Sequence, residues 1–212
     1  SQGERVSKRH ETHSPASAHF QQVRYLPGLE IRTRDNGEEL HVITLPDNVR
    51  CLHWRSAPPA NVQNNQLRYS LGDHLGSSAT ELDEQARVLS QETYYPFGGT
   101  AIWLHHSQSA GDYKTIRYSG KEMDVSGLYY YGARYYAPWL QRWVSADPAG
   151  DVDGLNVYVM VANNPLTYID PDGRALTKSP GWIAIAAGFK SETNRFVDEF
   201  DDAGDAMTPE QR

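Results

Sequence analysis

The residues best suited to chemistry sit in two short units, Asp147-Pro148-Ala149-Gly150 and Asp170-Pro171-Asp172-Gly173. Two carboxylates brought together in a partly desolvated site repel one another, so one holds a proton while the other stays ionised. Such a pair can activate water with the ionised member and protonate the departing group with the other, which is aspartic-protease chemistry. Nothing in the spacing alone brings the two units together. Each is also what a type I turn asks for: Asp capping backbone N–H groups, Pro second, Gly fourth. On the motif alone the turn reading comes first, and both are carried forward. Arg134, in Tyr131-Gly132-Ala133-Arg134-Tyr135-Tyr136, offers a guanidinium that could orient a carboxylate or steady a developing oxyanion. Packing as a cation among Tyr129, Tyr130, Tyr135 and Trp139 is the alternative.

Other polar groups read more plainly. Arg142 is a second arginine of the same kind, and Asp153 and Asp172 read as turn residues. Lys121, Glu122 and Asp124 form a compact polar group that reads as a turn between Tyr118 and Leu128. Ser119 and Ser145 have no nearby His, so serine-hydrolase chemistry has no support. His10 and His13 lie three apart, a metal-ligating spacing on a helix, but with no further ligand close by the segment reads as a solvated connection. His105-His106 reads as loop. Cys51 is the single cysteine, so no internal disulfide and no Cys-based zinc site can form. No metal or other cofactor is expected.

These candidates need a scaffold, and the 212 residues supply a β-rich one. Thirteen Tyr with frequent Gly and Pro favour strands and tight turns. From residue 21 the chain alternates: Leu29, Ile31 and Thr33 against Glu30 and Arg32, an Asp35-Asn36-Gly37 turn, then Leu40, Val42 and Thr44 against His41 and Ile43. Further strands are expected over residues 49–55, 66–71, 77–82 and 87–95, with a turn at 83–86. This recurrence of hairpins suggests an extended repetitive sheet. A net charge of −7 speaks against nucleic acid as the main partner, and no apolar run of membrane-spanning length occurs. After Gly173 the composition changes to a short apolar run, residues 182–189, then an acidic stretch in which Phe196, Val197 and Phe200 would share a helix face. Both ends read as cuts from something longer.

Residues 69–76, with Asp73-His74-Leu75-Gly76-Ser77, and Tyr94-Tyr95-Pro96-Phe97-Gly98-Gly99 resemble the tyrosine–aspartate repeats of Rhs proteins. Residues 117–150 followed by 153–173 resemble the Rhs-repeat-associated core domain, and residues 23–34 (VRYLPGLEIRTR) look most like the TccC-type C components of bacterial Tc insecticidal toxin complexes. The resemblance covers about residues 21–173. It implies a mainly β fold, with tyrosine–aspartate (YD/RHS) repeat hairpins forming part of a hollow β-shell that ends in an inward-curling core plug. The expected organisation is a polar linker (1–20), a shell segment (21–116), the core (117–176) and the start of a hypervariable C-terminal toxin region (177–212). The resemblance further implies a self-cleaving aspartic protease with Asp147, Asp170 and Arg134 as its catalytic residues. Its partners would be a B component completing the shell, a pore-forming A component, and the chain's own C-terminal toxin as cargo, in a secreted, extracellular complex. The family usually carries Leu directly after Asp-Pro-x-Gly and is cut behind it, whereas Arg174, Ala175 and Leu176 stand here. Motif register points to Arg174–Ala175; side-chain preference points to Leu176–Thr177, the bond we favour at this level, because an apolar residue fills a buried pocket at less cost than an unpaired Arg. The competing expectations are a structural plug that does not cut, an Rhs effector of a contractile secretion system, and a glycan-binding β-protein.

Overall fold

A computed structural model describes residues 5–13, 18–60, 62–181 and 183–184. Nine strands form one antiparallel meander in sequence order: β1 (Ser7–His13), β2 (Ala18–Leu26), β3 (Leu29–Arg34), β4 (Glu39–Leu45), β5 (Val49–Ser56), β6 (Gln66–Gly72), β7 (Ser78–Leu82), β8 (Val88–Tyr94) and β9 (Thr100–His105). The sheet is open, with β1 and β9 at its edges. The alternation in the sequence fixes its two faces. Leu40 lies opposite Trp54 and Val42 opposite Leu52, and all four are buried. Their neighbours His41, Ile43, Cys51 and His53 turn to the other face.

Successive hairpins reuse one turn. Asp73 Oδ1 accepts from the N–H groups of Leu75 (2.9 Å) and Ser77 (2.8 Å). Asp83 Oδ1 does the same for Gln85 and Arg87, both at 2.9 Å. An aspartate that satisfies its own turn is what makes the spacing repeat. Gly76 takes the left-handed position of the first turn (φ 78°), and Ala86 takes it in the second (φ 58°).

Two expectations fail at the sheet edges. Ser7–His13, expected within a polar linker, is strand β1, paired with β2 from Ser7↔Arg24 to His13↔Ala18. An edge strand wet on both faces shows no apolar alternation, and charges such as Lys8, Arg9 and Glu11 suit an edge. On a strand, residues three apart face opposite sides, so the spacing of His10 and His13 loses its metal-binding meaning. His105, expected in a loop, ends β9.

Beyond β9, the short helix α1 (Gln108–Asp112) turns the chain back across the sheet. A small antiparallel sheet follows, made of β10 (Glu122–Met123), β11 (Tyr129–Tyr130), β12 (Tyr135–Ala137) and β13 (Arg142–Trp143). A two-stranded pair follows, β14 (Tyr168–Ile169) with β15 (Thr177–Lys178). The core of this second half is aromatic: Tyr118, Tyr129, Tyr131, Tyr136 and Trp143 pack with Leu75, Met160 and Val161. Their rings meet edge-on, tilted or, for Tyr129 and Tyr136, stacked, at 5.0–6.5 Å, geometries worth about 0.5–1.5 kcal/mol per pair beyond burial. The acidic C-terminal stretch and its expected helix lie outside the described residues.

Ionic contacts pin the returning segment to the sheet. Glu122 meets Arg5 (2.5 Å), Lys8 (2.6 Å) and Arg32 (3.3 Å) and accepts from the Tyr25 hydroxyl (2.7 Å). Glu92 on β8 pairs with Arg117 and, at 3.3 Å, with Lys114. Burial acts to raise the Glu122 carboxyl, but Lys8 and Arg32 outweigh it and hold it below the usual value. Glu92 is likewise held low against burial by Arg117 and Thr100. Carboxylates depressed in the fold stabilise it above their unfolded pKa, and that stability disappears as pH falls through the folded values. The urea midpoint should therefore stay flat from neutral pH to about 5 and drop in acid. Glu122→Gln should lower stability at pH 7 and flatten part of that acid drop. A variant that loses as much stability in acid as wild type would contradict the assignment.

Candidate active site

The β11–β12 turn puts Arg134 just before β12, with Tyr131 N–H bonded to its carbonyl (3.1 Å) and Gly132 left-handed (φ 97°). The guanidinium lies over the Trp143 ring at 4.1 Å and spans two carboxylates. Arg134 Nη1 is 2.8 Å from Asp147 Oδ2, and Nη2 is 3.0 Å from Asp170 Oδ2. The side chains are 2%, 4% and 2% exposed, respectively, so bulk water does not screen the cluster. The structure thus brings together all three residues singled out in the sequence.

Turn and cluster are compatible because each aspartate divides its oxygens. Asp147 Oδ1 accepts from Ala149 N–H (2.8 Å), and Gly150 N–H closes the turn onto the Asp147 carbonyl (3.1 Å). Asp170 Oδ1 accepts from the N–H groups of Gly173 (2.7 Å), Arg174 (3.1 Å) and Asp172 (3.3 Å). Both Oδ2 atoms remain for Arg134. Burial pushes the Asp170 carboxyl above its ordinary value, although the Gly173 amide and Arg134 pull the other way. Gly173 is left-handed (φ 79°), and a Cβ there would lie 3.0 Å from the Arg134 backbone nitrogen, so the second unit needs its glycine.

The segment beyond Gly173 runs past this cluster. Arg174 is tied by its N–H to Asp170, Ala175 is exposed, and Leu176 packs partly against the aromatic core. Thr177 is exposed and paired with Ile169 in β15. Arg174–Ala175 therefore begins at a residue bonded to Asp170, whereas Leu176–Thr177 leads into a strand.

Among the secondary candidates, Arg142 lies over the Tyr158 ring (4.7 Å), away from the cluster. Trp139 is 60% exposed, and Trp143 is the ring beneath Arg134. Glu122 and Asp124 face Arg5 and Lys8, but Lys121 reaches the site, its Nζ 2.5 Å from the Pro171 carbonyl. Burial lowers the Lys121 pKa against the pull of Asp170 and Asp172. Asp153, read as a turn residue, accepts from Leu176 N–H at 2.8 Å. No local signal marks that bond in the sequence, since its acceptor and donor lie 23 residues apart. No group of three or more potential metal ligands occurs among the described residues. An open cleft of about 690 Å³ beside β1–β3 is lined by none of Arg134, Asp147 and Asp170.

With this geometry in view, known proteins are informative. Toxin subunit YenC2 of Yersinia entomophaga is 53% identical over 167 residues, 75% of this chain and 17% of that subunit. Toxin subunit YenC1 of the same organism is 42% identical over 213 residues, 97% of this chain and 22% of that subunit. Among solved structures, a TcdB2–TccC3 crystal structure superposes with a TM-score of 0.77 at 52% identity over 81% of this chain and 9% of that one. This chain matches a TccC-type Rhs-associated core. The Photorhabdus luminescens Tc holotoxin pore carrying TccC3-D651A gives 0.79 at 51% identity, covering 82% of this chain and 8% of that one. The chain spans about a fifth of the curated toxin subunits it matches. No protein-family model matches.

A buried charge stripped of its partner is costly. Arg134→Met leaves two carboxylates facing each other and should lower unfolding stability by about 3–5 kcal/mol, read by urea titration. Arg142→Met, at the surface, should cost less than about 1 kcal/mol. Equal effects of the two substitutions would contradict the cluster.

Proposed function

We propose that this chain is part of a toxin-encapsulating C component of a Tc complex and cuts itself once, in cis, just beyond its second Asp-Pro-x-Gly unit. The observation that carries the reading is the single buried guanidinium bridging Asp147 and Asp170, the second of which also accepts from the Arg174 N–H. Asp170, pushed up by burial, is the member suited to hold the proton. Asp147 then takes a proton from water as the water oxygen bonds to the Arg174 carbonyl carbon. Asp170 gives its proton to the Ala175 nitrogen as the C–N bond breaks, leaving a carboxyl group and an amine. Arg134 orients both carboxylates and offsets the charge that builds up. Tethering supplies the effective concentration, so no cleft for outside peptides is needed. We take Arg174–Ala175 as the bond cut, on motif register and on the hydrogen bond from Arg174 to Asp170.

The nine-stranded sheet would be a segment of shell wall and the aromatic core its plug. The relatives' assemblies with TcdB2 and in a Tc holotoxin pore support a B component that completes the shell and an A component that receives the released C-terminal toxin outside the producing cell. A structural plug is the second reading, favoured by the turn bonds that both aspartates make.

Intact masses decide between the two. Wild-type protein should run as two pieces divided between residues 174 and 178, while Asp147→Asn and Asp170→Asn stay whole. Equal splitting of all three would implicate a contaminating protease, and three whole chains would leave the plug.

A further inference from the structure

For the aspartates to cut one bond of their own chain, the segment that carries it has to be held still. We propose that Asp153 is the positioning residue that clamps this segment and selects the bond to be cut. The inference rests on the self-cleavage reading above and concerns a residue outside its catalytic trio.

The segment is held from three sides. Upstream, the Arg174 N–H donates to Asp170 Oδ1 (3.1 Å) and to Asp172 Oδ1 (3.2 Å). Downstream, Thr177 and Lys178 pair with Ile169 and Tyr168, and Ser179 N–H donates to the Thr167 carbonyl (2.9 Å). Between these anchors, Asp153 Oδ2 accepts from Leu176 N–H at 2.8 Å. Ala175, flanked by two held amides, is exposed. Both bonds of Ala175 fall between the clamps, and only Arg174–Ala175 follows the residue tied to Asp170.

The chemistry of the clamp fits a positioning role. Asp153 grips backbone rather than side chain, so it holds the segment whatever residue stands at position 176. Asp153 comes from the loop between Asp147 and the bridge of Val159 with Arg142, so the segment holding one catalytic aspartate also grips the bond region. A hydrogen bond to a charged acceptor fixes distance and direction together. Displacing a reacting group by about 1 Å costs on the order of a hundredfold in rate.

The test follows the splitting of the full chain by intact mass after refolding from urea, for wild type, Asp153→Ala and Asp153→Asn. Asp153→Ala should split about tenfold to a hundredfold more slowly, the range for losing such a bond. It should also scatter its cut over neighbouring bonds, which general destabilisation would not do. Asp153→Asn keeps an acceptor oxygen and should restore most of the rate and the single site, with the pH profile of wild type. Wild-type rate and a single cut in Asp153→Ala would overturn the clamp. A pH limb lost in Asp153→Asn would overturn it too, making Asp153 a proton carrier. A wild type that stays whole would instead defeat the self-cleavage reading beneath it.

Discussion

Arg134 carries one positive charge into a place where two carboxylates are shut away from water, and the architecture of the second half follows from that burial. Two unpaired carboxylates could not be buried there, and neither could an unpaired guanidinium. The three groups hold each other in place. Trp143 lies beneath the cation, and Gly173 leaves room for the backbone beside it. Because one oxygen of each aspartate is spent on its own turn, the position of the other is fixed. Burial, working against Arg134 and three amide donors, leaves Asp170 easier to protonate.

That cluster needs a platform, and the nine-stranded sheet provides it through charge as well as apolar contact. Leu40, Val42, Leu52 and Trp54 receive Tyr113 on one part of the face. Toward either side, Glu122 reaches Arg5, Lys8 and Arg32, and Glu92 receives Arg117 and Lys114. Polar rows of this kind fix the position of the returning segment more narrowly than an apolar face can, because each partner must be satisfied. The aromatic core then builds on a segment whose register is already set.

The sequence shows the parts of this arrangement more clearly than their meeting. Central strands such as β4 are legible because Leu40 and Val42 alternate with His41 and Ile43. β1 is not, since an edge strand exposed on both faces has no apolar period to display. The Asp-Pro-x-Gly turns announce themselves, but their convergence on Arg134 depends on the packing of β12 and β13 and has no local signature. The resemblance to Rhs cores marks Arg134, Asp147 and Asp170, and those residues do converge. Trp143 rather than Trp139 lies beneath the guanidinium because the 138–141 turn leaves Trp139 at the surface while β13 turns Trp143 inward. Asp153 was hidden for a different reason: its bond is to backbone, and a backbone N–H carries no mark in the sequence.

On the proposed reading, this cluster acts on its own chain. Mixing unlabelled wild-type chain with isotope-labelled Asp147→Asn chain, both refolded from urea together, tests it by mass. If the account is right, the unlabelled chain splits with a first-order rate that does not change with concentration, and the labelled chain stays whole. A labelled chain cut at the same bond would show cleavage between molecules and contradict a site built to reach only its own segment.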